Sequence, residues 1–137
     1  MDLQMPSFAS ITVNDGEDTP VSHTFLPSTI DPKTGVAKLK ESDGTPIGDN
    51  IVTMSLRETD QYYKGRLLLA MPVVVTETIN GVNVPKVSRT AYADLNLSFD
   101  KTSTTQERDN VLILLSNMFA GGVTMVDGTF RDLEGIY

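Results

Sequence analysis

Three short stretches carry side chains able to hold a polyanion or a base, spaced at every second residue. In Asn50-Ile-Val-Thr-Met-Ser-Leu-Arg57 the recurring positions are Thr53, Ser55 and Arg57. Tyr62, Lys64 and Arg66 follow with the same spacing, and Tyr92, Asp94 and Asn96 form a third set. The hydroxyls of Thr53 and Ser55 both donate and accept hydrogen bonds. The cationic heads of Arg57, Lys64 and Arg66 suit phosphate oxygens. A tyrosine ring offers a plane on which a base can stack, worth ~1–3 kcal/mol. A two-residue repeat places each set on one face of a β-strand. The same side chains also make an ordinary solvated sheet face, and spacing alone favours that plainer reading.

The elements that must position these residues read as strands first and helix last. Phe8 to Asn14 alternates apolar and polar residues, meets Asp15-Gly16, and is followed by Val21 to Leu26, which predicts an N-terminal β-hairpin. Pro27 to Gly35 reads as a connection, Val36 to Lys40 as a short strand, and Asp43-Gly44 with Pro46 and Gly48 as a turn. In the strand from Asn50, Val52, Met54 and Leu56 oppose the Thr53 set. From Tyr62 to Met71, residues Tyr63, Leu67, Leu69 and Met71 oppose the Lys64 set, and from Thr90 to Phe99, Ala93, Leu95, Leu97 and Phe99 oppose the Tyr92 set. Polar on one side and apolar on the other fits an antiparallel sheet covered on one face only. Between the last two strands, residues 73–87 read as a long loop centred on Asn80-Gly81, a favoured hairpin pair.

The period then changes. Ser103-Thr-Thr-Gln-Glu107 contains two capping-box pairings, Ser103 with Gln106 and Thr104 with Glu107, so a helix is predicted from there to Gly121-Gly122. Seven of the nine residues from Val111 to Phe119 are apolar. A helix resting on one sheet with its back to water does not need so many, so burial on two sides is expected, the second against another subunit. A short final helix is predicted around Thr129 to Glu134.

Composition narrows the function classes. The chain has 137 residues, 39% of them hydrophobic and 21% charged, which suits one compact domain with a core. It has no cysteine and one histidine, removing disulfides, thiol nucleophiles and cysteine- or histidine-rich metal sites. His23 lies between Ser22 and Thr24 in an alternating segment and reads as a strand residue, so no catalytic triad and no enzyme is expected. Residues 14–18 lack the spacing and distal Glu of a calcium loop and read as a turn. The acidic stretches 15–18 and 127–134 read as solvated charge, with cations at subunit contacts left open. Asn96-Leu-Ser98 matches a glycosylation acceptor but falls inside a strand. No cofactor is implied.

The longest apolar run, Leu67 to Val75, is interrupted by Pro72 and falls short of the ~20 residues of a membrane-spanning helix. The first residues, Met-Asp-Leu-Gln-Met-Pro, have no basic region followed by an apolar one, so neither a membrane partner nor a secretory signal is expected. Net charge is −7, which alone argues against a nucleic-acid partner. Its distribution weakens that argument, because residues 51–96 carry five basic against four acidic groups.

From Val52 to the C-terminus the order of features resembles the coat protein of the single-stranded RNA bacteriophages, the levivirus type. The resemblance rests on Val52-Thr-Met-Ser-Leu-Arg57, on Pro72-Val-Val-Val-Thr-Glu-Thr-Ile-Asn-Gly-Val-Asn-Val-Pro85 and on Arg89-Thr-Ala-Tyr-Ala-Asp94. The helix start with Glu107-Arg108 and the terminal Gly135-Ile-Tyr137 complete it. Gly35-Val-Ala37 and the N-terminal hairpin extend it toward the start.

The resemblance implies an α+β fold in a single domain spanning residues 1–137: an N-terminal β-hairpin (1–30), a five-stranded antiparallel sheet (35–100, with the long loop 73–87) and two C-terminal helices (103–137). It implies an intertwined homodimer with a continuous ten-stranded sheet, dimers closing into an icosahedral shell around the genome, and the long loop making contacts around the symmetry axes. The polar sheet face is implied to bind a hairpin of the viral genomic RNA, so that the coat protein represses replicase translation and marks the genome for packaging. Thr53, Ser55, Arg57, Tyr62, Lys64, Arg66, Tyr92 and Asp94 would carry that binding, Asp94 by accepting from a base amine or a ribose hydroxyl. Ile51 and Leu68 depart from the family, which has lysines there, so fewer phosphate contacts are expected. The implied location is the virion, assembled in the bacterial cytoplasm. The alternative is a non-viral dimeric sheet protein that neither assembles nor binds RNA.

Overall fold

The computed structural model describes residues 7–42 and 46–137. The turn expected at Asp43-Gly44 and the first six residues lie outside the described residues. The chain divides into two compact units, the first ending at Ser98 and the second spanning Phe99–Tyr137.

The first unit is a six-stranded antiparallel sheet in sequence order: β1 (Ile11–Asn14), β2 (Ser22–Ile30), β3 (Ala37–Glu41), β4 (Asn50–Glu58), β5 (Tyr62–Ile79) and β6 (Val82–Asp100), whose last residues enter the second unit. A 3-10 turn, Pro46–Gly48, leads into β4. The count corrects the expected hairpin plus five strands, since the N-terminal hairpin is part of the same sheet and four strands follow it. The segment expected to connect them, Pro27 to Gly35, is strand as far as Ile30. Pro27 lies inside β2, and the register shift between Pro27 and Thr29 absorbs the irregularity.

The long loop expected at residues 73–87 is likewise corrected. β5 and β6 run through it as a ribbon and close on Asn80 (φ 51°) and Gly81 (φ 79°). Positive φ at both central positions is the hairpin turn whose twist matches that of the strands, and Asn-Gly is the pair that adopts it at least cost. The β-branched run Val73-Val-Val-Thr76 favours extended backbone. Across the ribbon Thr78 Oγ1 donates to Asn83 Oδ1 at 3.0 Å, and Lys86 lies 3.7 Å from Glu77.

The sheet core is small. Phe25, Leu39 and Val52 are buried, with Ile11, Leu67 and Leu69 packed around them. The rest of the apolar face, including Met54, Leu56, Tyr63 and Leu95, is exposed in the single chain.

The second unit holds α1 (Thr105–Phe119) and α2 (Thr124–Phe130). Of the two capping pairings, Thr104 is the N-cap, its hydroxyl accepting from the Glu107 N–H at 3.2 Å. Gly121 and Gly122, at φ 106° and 89°, end α1. The final helix lies several residues earlier than predicted, because Asp127 organises it: its carboxylate accepts from the Gly122 N–H at 3.1 Å and pairs with Arg131 one turn on. Leu133, at φ 58°, then leaves the helical region. Phe119 and Phe130 meet edge to face at 5.7 Å between ring centroids. No residue of either helix is buried, although Val111 to Leu115 are all apolar. Among the described residues no single helix is long and apolar enough to cross a membrane.

Candidate nucleic-acid interface

Register assembles the predicted positions onto one face. Across β4 and β5 the directly opposed residues are Thr53 and Leu68, Ser55 and Arg66, and Arg57 and Lys64. Opposed residues project to the same side of a sheet, so the two sets form one surface, and Tyr62 joins it two residues before Lys64. Asp94 is brought in from β6 by two hydrogen bonds: Arg66 Nε donates to its Oδ1 at 2.9 Å and Arg66 Nη2 to its Oδ2 at 2.8 Å. Tyr92 and Asn96 share that side by alternation, and Asn96 Nδ2 donates to Asp94 Oδ1 at 3.3 Å. The eight residues singled out in the sequence therefore lie on one face.

Their states differ. Arg66 and Asp94 form a closed two-point fork. The Arg66 guanidinium holds the Asp94 carboxyl below the usual carboxylate range, and the carboxylate holds Arg66 above its own. Arg66 is thus already neutralised, and Asp94 already accepts with both oxygens. Arg57 and Lys64 are exposed and directly opposed. Like charges facing across a sheet repel, and among the described residues neither has an ion-pair partner, so the pair is a cationic point. Tyr92 is the most open aromatic on the sheet, its accessibility 73%. Tyr62 is less so, and its backbone is tied to Thr59, whose N–H donates to the Tyr62 carbonyl at 2.7 Å. Thr53 and Ser55 are half-buried between the cations.

Two features escaped the sequence reading. β3 pairs with β4 so that Lys38 opposes Thr53 and Lys40 opposes Ile51, which puts two more exposed lysines on the polar face. Their alternation was visible, but which face they join depends on register, and register is set by pairing partners far along the chain. The second feature is on the side of Phe25 and Leu39. The single histidine is clamped there, with Nε2 2.7 Å from Asp15 Oδ2 and Nδ1 2.7 Å from Glu41 Oε1. Glu41 also accepts from the Thr24 N–H at 3.1 Å and from Asn50 Nδ2 at 2.8 Å. Both ring nitrogens face carboxylates, and only the imidazolium donates to both. His23 is accordingly held above its ordinary range by Glu41 first and Asp15 second. Asp15 is lowered to about 2 by the Val21 N–H and then by His23. This is a clamp tying the β1–β2 loop to β3 and β4, not a nucleophile's base. Among the described residues no group of three or more histidine, cysteine or acidic side chains is arranged to hold a metal ion.

A curled antiparallel sheet with a polar face, followed by two helices, is the architecture of a phage coat protein, and the sequence comparisons agree. The chain belongs to the levivirus coat protein family, whose model matches residues 6–137. These are capsid proteins, structural and not enzymatic. The chain is 37% identical over 129 residues to the capsid protein of Pseudomonas phage PRR1, covering 93% of this chain and 97% of that one. It is 31% identical over 120 residues to the capsid protein of Escherichia virus Qbeta, covering 85% and 89%. Among solved structures, the virus-like particle of Beihai levi-like virus 21 superposes with a TM-score of 0.78 at 26% identity, over 96% of this chain and 99% of that one. The bacteriophage GA capsid protein superposes with the same TM-score at 24% identity, over 95% and 98%, a likeness of fold.

Proposed function

We propose that this chain is the shell subunit of a single-stranded RNA phage. It forms homodimers, the dimers close into an icosahedral particle around the genome, and the polar face of the sheet lines the inside and binds RNA. Two relatives are named as virus-like particles, of bacteriophage ESE058 and of Beihai levi-like virus 21, which supports assembly. Dimerisation is supported by what the single chain leaves uncovered. β6 is a 19-residue edge strand with unpaired backbone groups along its outer side. An edge of that length templates pairing with a second strand, and a second β6 joins the two sheets into one. The exposed apolar face of the sheet and the apolar surface of α1 supply what such a partner would bury.

The single observation that carries RNA binding is the Arg57–Lys64 pair, two exposed cations set opposite each other on the face that also presents Tyr92. A pair that repels itself in the free protein is relieved by a phosphate between its heads. Tyr92 then stacks a base, while Thr53 and Ser55 read an unpaired base edge through their hydroxyls. A hairpin with unpaired loop bases fits this face, and its occupation at the replicase start gives translational repression and genome selection. Assembly would take place in the bacterial cytoplasm, where the RNA is made.

Tyr92→Ala tests the reading. Electron microscopy of particles from bacteria expressing the variant alone should show normal shells. A competition assay should show loss of the preference for the replicase-start hairpin over a scrambled one. An unchanged preference would remove Tyr92 from the site, and absence of shells from the unmodified chain would refute the assembly proposal.

A further inference from the structure

We propose that Lys38 and Lys40 form a second phosphate-binding point on the RNA face, carrying the nucleotide chain from the Arg57–Lys64 pair across β4 to the β3 side. The inference rests on the RNA-binding reading above and extends it to residues outside the expected set.

β3 is an interior strand, paired on one side with β2 and on the other with β4. The common reason for lysines on a strand, protection of an open edge, therefore does not apply to it. Leu39 between them is 3% exposed and belongs to the core, so the strand is anchored and both lysines are committed to the opposite face. Their neighbours there are neutral: Thr29 and Thr53 flank Lys38, and Leu26 and Ile51 flank Lys40. The nearest carboxylate in sequence, Glu41, points to the other face, where His23 and Asn50 hold it. No ion-pair partner of Lys38 or Lys40 is found among the described residues.

Two uncompensated ammonium groups two residues apart, roughly 7 Å along a strand, match the reach of consecutive phosphates on one nucleotide chain. The row holding Lys38 lies four residues, roughly 13 Å, from the row of Arg57 and Lys64. The Lys38 row continues through Thr53 and Leu68, and between it and the Arg57 row lie Ser55 and Arg66, the latter balanced by Asp94, so the strip carries hydroxyls and no net charge. Cationic points at both ends of a neutral strip describe a track for a single strand, its backbone held at each end and its bases lying across the middle.

The test uses the full chain and a fluorescein-labelled oligouridylate, with affinity measured as salt rises from about 50 to about 200 mM. K38Q/K40Q should flatten the slope of log affinity against log salt by about 1.4, two single-strand contacts at ~0.7 each. R57Q/K64Q should flatten it by a similar amount, and K33Q should leave it unchanged. K38R/K40R, which keeps the charges, should restore the original slope. If R57Q/K64Q flattens the slope and K38Q/K40Q does not, the lysine point is overturned and the RNA face stands. If neither does, the RNA face itself is overturned. Failure of K38R/K40R to restore the slope would trace the loss to a disturbed strand and overturn the proposal as well.

Discussion

The family resemblance implies that Arg66 and Asp94 touch RNA, and in the single chain they are joined to each other, which makes their variants informative. A cation contributes to the salt dependence of RNA binding only when it neutralises a phosphate and a counterion leaves. While Nε and Nη2 of Arg66 lie on Asp94 at 2.9 and 2.8 Å, its charge is already balanced and that release does not occur. Arg66→Gln should therefore leave the salt slope close to that of the unmodified chain. Affinity itself should fall, because an unneutralised carboxylate then faces the ligand. Arg57→Gln, removing an open cation, should flatten the slope by ~0.7–0.9. Asp94→Asn should act in the opposite direction. It opens the fork, releases Arg66 to a phosphate and steepens the slope by ~0.7–0.9, so that a fourfold rise in salt costs about threefold more affinity than before. Filter binding of a labelled RNA over a salt series measures all three variants. If Arg66→Gln flattens the slope as much as Arg57→Gln, Arg66 exchanges Asp94 for a phosphate on binding and the closed fork is not the bound state.

Other consequences concern the sheet. Leu39→Ala empties the middle of a three-residue core and should lower the unfolding free energy by ~2–5 kcal/mol in urea titrations; a loss below ~1 kcal/mol would show that the site collapses to fill the space. The His23 clamp gives a pH window. Its raised histidine stabilises fully below the ordinary 6.5 and loses its effect as pH rises through the folded value. Its lowered carboxylates stabilise above their ordinary range and fail as pH falls, Asp15 through about 2. For Glu41, partial burial pushes upward, but the bonds from His23 and Asn50 outweigh it. The difference in thermal midpoint between the unmodified chain and His23→Gln should thus be greatest between roughly pH 4.5 and 6.5, and parallel curves would show that the clamp carries no charge. Deleting residues 76–84 shortens the β5–β6 ribbon without touching the polar face, and should leave dimers that bind RNA but do not close shells under electron microscopy.

What could be read from the sequence follows from the range of the interactions involved. Alternation placed Thr53, Ser55 and Arg57 on one side of a strand because side-chain period is a local property. Thr104 and Gly121 marked the ends of α1 for the same reason, since capping is completed within one turn. The ribbon reads as loop in the sequence although its Asn80-Gly81 turn is legible there, because Pro72 and the absence of an apolar-polar alternation in Val73-Val-Val hide a strand that is extended by β-branching. The Arg66–Asp94 fork joins residues 28 positions apart, the His23–Glu41 contact residues 18 apart, and the lysines of β3 reach the polar face only through pairing. None of these leaves a mark in a short window.

The same registers show how a chain of net charge −7 can carry a positive surface. Binding depends on the field over the contact surface, not on the total, because interactions beyond about 8–10 Å are screened at physiological salt. On the polar face the structure places Lys38, Lys40, Arg57, Lys64 and Arg66, the last of them held by Asp94. Asp15 and Glu41 are turned to the opposite side and consumed by His23, while Asp127 is consumed by Arg131 in the second unit. A strand has two faces and its charges must choose one, so an antiparallel sheet can sort cations from carboxylates within a few residues of each other, as Lys40 and Glu41 do. Moving a cation between strands while keeping it on the face preserves that field. Lys38 and Lys40, in the rows of neutral Leu68 and Ile51, therefore leave a positive surface in place, displaced from β5 and β4 onto β3.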